Sequence, residues 1–164
     1  GNQFNIARTV TGHELPPVYV YALETSLQLT LTELNESLRE VYLEAYRQPQ
    51  SADYIYRHTA SELYQIFGSY LPSYSECDFY EQDIGSGGIM RAYMERPCDL
   101  YFTLEKKLSR FLTMSMRAYC VPPDEQQQVL AFIETLDIRS ISEQVMQELF
   151  RKLEMRFSFS LGNS

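Results

Sequence analysis

Apolar residues recur every three or four positions along most of this chain, and prolines interrupt the recurrence at five places: Pro16-Pro17, Pro49, Pro72, Pro97 and Pro122-Pro123. Proline lacks a backbone N–H and clashes with the preceding turn, so each place marks a boundary between helices. Between Pro17 and Pro49, Leu23, Leu27, Leu31, Leu34, Leu38, Val41, Tyr42 and Ala45 keep helical spacing. Thr30, Thr32 and Asn35 weaken the middle of that stretch, which predicts two helices rather than one. A third helix follows Pro49 on Ile55, Thr59, Leu63, Ile66, Phe67 and Tyr70, and stops at Gly68 and Leu71-Pro72. Ser73 with Glu76, and Ser75 with Asp78, each fit a capping box for a fourth helix that runs to about Arg96.

From Asp99, the residues Phe102, Leu104, Leu108, Phe111, Leu112, Met114 and Ala118 predict a fifth helix ending before Pro122. Val129, Leu130, Phe132, Ile133 and Leu136 make another. Ser140 with Glu143 reads as the cap of the last helix, whose stripe of Ile141, Val145, Met146, Leu149, Phe150, Leu153 and Phe157 is wider than one neighbour needs. Strand-like alternation is confined to a frayed end at Phe157 and Phe159. The fold class expected is all-α, a bundle of about seven to eight helices.

A length of 164 residues suits one domain with its own core. No apolar run approaches the roughly 18 residues of a membrane helix. Cys77, Cys98 and Cys120 are odd in number and match neither a zinc pair nor a disulfide framework, so they read as reduced thiols of a soluble, cytoplasmic protein. Gly1 in place of Met leads us to expect a natural chain that starts further upstream. The net charge of −8 would repel a polyanion, so residues 1–164 alone are not expected to bind DNA.

Catalytic and metal-binding patterns are sparse. The two histidines are His13 beside Gly12 and His58 on the third helix, and no zinc-protease, nucleophile-elbow, P-loop or dinucleotide fingerprint occurs. Neither an enzyme, a metal site nor a cofactor is expected. Glu33/Glu36 and Glu40/Glu44 read as a solvated face, because a di-metal bundle also needs Glu-x-x-His on two helices. Gly85, Gly87 and Gly88 each cost a helix interior about 1 kcal/mol relative to Ala, which points to a kink or to close helix approach. The alternative, a phosphate loop, lacks the preceding strand and following Lys.

Tyrosines number 13, with nine phenylalanines and no tryptophan. Tyr54, Tyr56, Tyr64, Tyr93, Tyr101 and Tyr119 with Arg91 and Arg117 form a band that suits a small-molecule pocket, or else fills a helical core or dimer interface. The pocket expected lies between the third, fourth and fifth helices with its mouth near Gly85–Gly88. Its candidate lining is Tyr54, His58, Met90, Arg91, Tyr93, Met94, Arg117 and Tyr119. The width of the last stripe predicts a homodimer through Ile141, Val145, Leu149, Phe150 and Leu153, joined by Phe111 and Met114.

The phrases YLEAYRQPQSADYIY, SELYQIFGSYLP, GSGGIMRAYMERPCDLYFTLEKKLSRFL and LDIRSISEQVMQELFRKLEMRF resemble the C-terminal, ligand-binding and dimerisation portion of TetR/AcrR-family transcriptional regulators. The resemblance covers the chain from about Leu15 and lies in helix order and texture. It implies that residues 1–12 are the tail of a helix leading from a missing N-terminal helix-turn-helix, and that residues 13–164 are the effector-binding and dimerisation domain. It further implies a homodimer, an unidentified small apolar or amphipathic effector, and DNA contact only through the missing module. The competing reading is an all-α interaction or adaptor module whose aromatic faces serve protein partners alone.

Overall fold

The computed structural model describes residues 11–162, with side chains described through residue 155. Seven helices are described: α1 Pro17–Leu34, α2 Glu36–Arg47, α3 Pro49–Phe67, α4 Glu76–Glu95, α5 Leu104–Ala118, α6 Pro123–Glu134 and α7 Ile138–Gly162. No strand occurs among the described residues. The expected linking tail falls mainly on residues 1–10, outside the described residues. The stretch from Phe157 to Phe159 is helical and forms the far end of α7, which corrects the frayed, strand-like reading.

The division after α1 follows from one side chain. Asn35 Oδ1 accepts the Leu38 N–H at 2.9 Å, so Asn35 ends α1 and caps α2. α4 opens with the capping box at Ser75 and Asp78, where Ser75 Oγ accepts the Asp78 N–H at 3.3 Å and Asp78 Oδ2 accepts the Ser75 N–H at 2.8 Å. Ser73 plays no such part. α5 starts at Leu104 rather than Asp99, because Asp99 Oδ1 accepts the N–H groups of Tyr101 and Phe102 and holds that stretch in a turn. α7 is capped by Asp137, whose Oδ1 accepts the Ser140 N–H at 3.1 Å, one turn earlier than the Ser140/Glu143 pattern suggested.

α1 is the central helix. Ten of its residues are buried and it touches every other helix, which explains why its sequence is apolar on several sides rather than along one stripe. The aromatic heart of the core is a stack of Tyr119 on Phe67, with centroids 4.5 Å apart and rings 5° from parallel, and of Tyr119 near Phe79 at 6.0 Å. Tyr21 meets Phe67 edge-on at 5.0 Å.

Tyr119 is held at this point by the way α5 ends. Cys120 takes a left-handed conformation with φ 60°, its N–H donates to Arg117 O at 3.1 Å, and the Val121 N–H donates to Met116 O at 3.0 Å. That pair of bonds is a Schellman motif with cysteine where glycine is usual.

Candidate functional site

Polar groups gather on the face of α4 that meets α1, α2, α3 and the end of α5. Asp83, Gly87 and Arg91 stand four residues apart, so helical geometry places them in one row. A Cβ on Gly87 would lie 3.1 Å from Tyr56 Cε1 and 3.7 Å from both Arg91 Nη1 and Asp83 Oδ1. Gly87 therefore lets the Tyr56 ring of α3 approach the α4 backbone, and a carboxylate and a guanidinium flank the contact. The helix runs unbroken through Gly85, Gly87 and Gly88.

Arg91 donates to the Tyr56 hydroxyl and lies 4.8 Å from the Tyr46 ring centroid. On the other flank, the Tyr119 and Ser86 hydroxyls are 2.6 Å apart, and Ser86 Oγ donates to Asp83 Oδ1 at 3.3 Å. Tyr21 hydrogen bonds to Ser115 nearby. Burial raises the Asp83 pKa to about 6, with the Ser86 hydrogen bond and the Arg91 charge opposing. Burial likewise raises the Tyr21 and Tyr119 phenols, and raises Tyr46 with help from the Asp83 charge. Glu24, on α1, is raised to about 7 by burial and then by the charge of Glu62, and its Oε1 is buried without a hydrogen-bond partner.

A second buried ionic centre ties α5 to the end of α1. Lys107 is 1% exposed, and its Nζ donates to Glu33 Oε2 at 2.9 Å and to Arg96 O. Glu33 Oε1 accepts the Cys98 N–H at 2.8 Å. Burial pushes the Glu33 carboxyl up, but the hydrogen bonds from Lys107 and Cys98 outweigh it and hold the pKa below its ordinary value. Glu33 and Glu36 thus do not form one solvated face: they belong to different helices, and only Glu36 faces water.

The expected pocket lining divides three ways. Arg91 and Tyr119 join the polar centre, as described. Met90 and Met94 are buried in the apolar core. Tyr54 and His58 do share a face, their rings stacked 6.3 Å apart, but it is the outer face of α3: Tyr54 is 73% exposed and His58 sits 3.4 Å from Glu62. Arg117 is exposed as well, and Tyr93 is half-buried with its hydroxyl 3.3 Å from Met114 Sδ. The expected cavity mouth at Gly85–Gly88 is corrected too: the space left by Gly87 holds the Tyr56 ring, and Gly85 faces solvent.

The expected dimer residues also divide. Phe111 is 2% exposed in its own core and drops out of any interface. Ile141 and Val145 are half-buried, whereas Met114, Leu149, Phe150 and Leu153 are exposed. The near end of α7 packs on α1, and between Leu149 and Met155 the helix carries bare apolar side chains.

Asp83, Ser86, Tyr21 and Tyr46 were not singled out from the sequence as site residues. The row Asp83–Gly87–Arg91 carried a usable signal, since two charges four residues either side of a packing glycine must share its face. Lys107 gave a similar one by interrupting the apolar stripe of Leu104, Leu108 and Phe111.

These features define an all-α bundle around one central helix, with two buried ionic centres and one unpartnered helix face. Among the described residues, no group of His, Cys, Asp and Glu is placed to hold a metal ion and no helix is long and apolar enough to cross a membrane. Comparison with known protein families, curated proteins and solved structures finds no match for the chain.

Proposed function

We propose that this bundle is the effector-sensing and dimerisation domain of a TetR-like transcriptional regulator, in which DNA is contacted only by a helix-turn-helix joined ahead of it. The observation that carries the reading is the apolar stripe along the middle of α7. Val145, Leu149 and Leu153 are spaced four apart, with Phe150 beside them, and the last three are 46%, 54% and 52% exposed for Leu149, Leu153 and Phe150 respectively. An apolar stripe of that length on one helix suits pairing with the same stripe of a second copy about a two-fold axis. The net charge of −8 agrees with a chain that leaves DNA contact to another module.

An effector in such a regulator acts only through a difference in affinity between two arrangements of the dimer, with a coupling of about 1–3 kcal/mol. The half-satisfied centre around Asp83 is where a modest change in protonation or packing would be felt by α4 and the four helices it meets.

Light scattering tests the pairing. A dimer at micromolar concentration, burying more than about 1,200 Å², is expected, and Leu149→Lys with Leu153→Lys should give a monomer of unchanged helicity. A monomeric native chain at that concentration overturns the proposal. A gel shift adds the second half: the chain alone should leave duplex DNA unshifted at physiological salt.

A further inference from the structure

One feature that neither ionic centre nor the α7 face accounts for is a cavity of about 200 Å³ where α5, α6 and the root of α7 converge. Its wall is made by Leu104, Leu108 and Leu112 of α5, Ile133 of α6 and Ile138 of α7, all buried core residues. Water gains little in such a space, since it needs two to four polar partners, and an apolar cavity of about 150 Å³ already holds a benzene-sized guest. The opening is not apolar. Glu105, Glu134, Asp137 and Arg139 line it, three carboxylates against one guanidinium. Arg139 is committed to Glu105 in an ion pair, and Asp137 is fixed in place by capping Ser140. Glu134 has no ion-pair partner among the described residues, so the mouth carries a net excess of two negative charges above an apolar floor.

We propose that this cavity is a binding site for a small apolar amine: a compact ring or short branched chain seated between Leu108 and Ile133, with its ammonium held at the mouth by Glu134 and Asp137. The charge pattern selects the class. An anionic guest would meet that excess of negative charge, and a neutral one would gain the floor but leave the mouth unused. Because the rim is open to water, the preference for the cation is modest and weakens as salt rises. The site needs neither DNA nor a second copy, so it stands or falls independently of the regulatory reading above.

The test uses the whole chain with phenethylamine, phenethyl alcohol and 3-phenylpropanoate, probes that share a ring and differ at the head. Calorimetric titration is paired with ¹³C-methyl spectra of Leu108, Leu112 and Ile133. The expected result is amine binding with shifts at those methyls, roughly tenfold tighter than the alcohol at low salt, with the carboxylate weaker still. Glu134→Gln, a surface change that leaves the core intact, should erase most of the amine preference while keeping the methyl shifts. Absence of methyl shifts at millimolar amine, equal affinity for amine and alcohol, or an unchanged preference in Glu134→Gln overturns the proposal.

Discussion

Two buried ionic centres sit in one helical core and are built on opposite terms. At Lys107 the ammonium is matched by the Glu33 carboxylate and the Arg96 carbonyl, and the second Glu33 oxygen is matched by the Cys98 amide. At Asp83 the carboxylate has one hydroxyl donor, Ser86, and a guanidinium that is itself spent on Tyr56 and Tyr46. The pKa directions follow: Glu33 is held below its ordinary value, whereas Asp83 is raised to about 6. A fully partnered charge pins two elements together, and an under-partnered one stays responsive to pH and to packing.

The largest effect should come from breaking the pinned centre. Lys107→Met leaves the part-buried Glu33 carboxylate without its cation and is expected to cost up to about 3–5 kcal/mol in urea unfolding. Replacing both partners, Lys107→Met with Glu33→Leu, should recover most of the loss, because removing both charges also removes their desolvation. If the double variant is as unstable as the single one, the centre matters for shape rather than for charge.

A smaller loss should follow from crowding the other centre. Gly87→Leu drives a side chain into the Tyr56 ring, which already lies 3.1 Å from the position of a Cβ. Overpacking of this kind costs roughly 1–3 kcal/mol. Gly85→Leu, on the solvent face with nothing within 4 Å, should be neutral or stabilising by comparison. Melting temperatures of the two variants separate close packing from a general dislike of side chains in this helix.

The pH dependence of the two centres has opposite sign. With its pKa raised from 3.8 to about 6, folded Asp83 keeps a proton that the unfolded chain releases, so its stabilisation is full below 3.8 and fades as pH rises through about 6. Glu33, held low, contributes fully above its ordinary 4.5 and loses that contribution as pH falls through its folded value. Asp83→Asn should therefore flatten the decline in urea midpoint between pH 4 and 6, leaving a decline due to Glu24, whose pKa is raised to about 7. An unaltered pH profile would place the Asp83 charge in water instead.

The smallest effect is expected at the helix end that positions Tyr119. Cys120→Gly removes a Cβ from a left-handed residue and should stabilise by about 0.5–1 kcal/mol, net of the added freedom of the unfolded chain. A destabilised variant would mean that the exposed Cys120 side chain makes a contact worth more than the strain it carries.

Much of the fold was legible because it rests on local rules. Proline positions and the three-to-four spacing located the helices, the weak point at Asn35 became the cap that divides α1 from α2, and Ser75 with Asp78 formed the box that their spacing allows. Where competing local patterns were available, the structure chose between them: Asp137 rather than Ser140 caps α7, and α5 is capped not by Asp99 but by Thr103, whose Oγ1 accepts the Lys106 N–H.

Which face of a helix turns inward is decided by neighbours, and spacing alone does not supply it. Tyr54 and His58 share a face as their sequence separation demands, yet that face looks outward because α4 packs against α3 on the side of Tyr56. Phe111 belongs to the same apolar stripe as the exposed Met114, but only the tertiary arrangement says which of them the core consumes. The pairing of Lys107 with Glu33, 74 positions apart, and of Tyr119 with Ser86, 33 apart, is invisible to any local pattern. The sequence by itself determined the helices, their caps and their apolar character, since those follow from torsions and nearest turns. The tertiary structure alone decided which charges meet and where space remains, since burial and pairing depend on chain segments that only folding brings together.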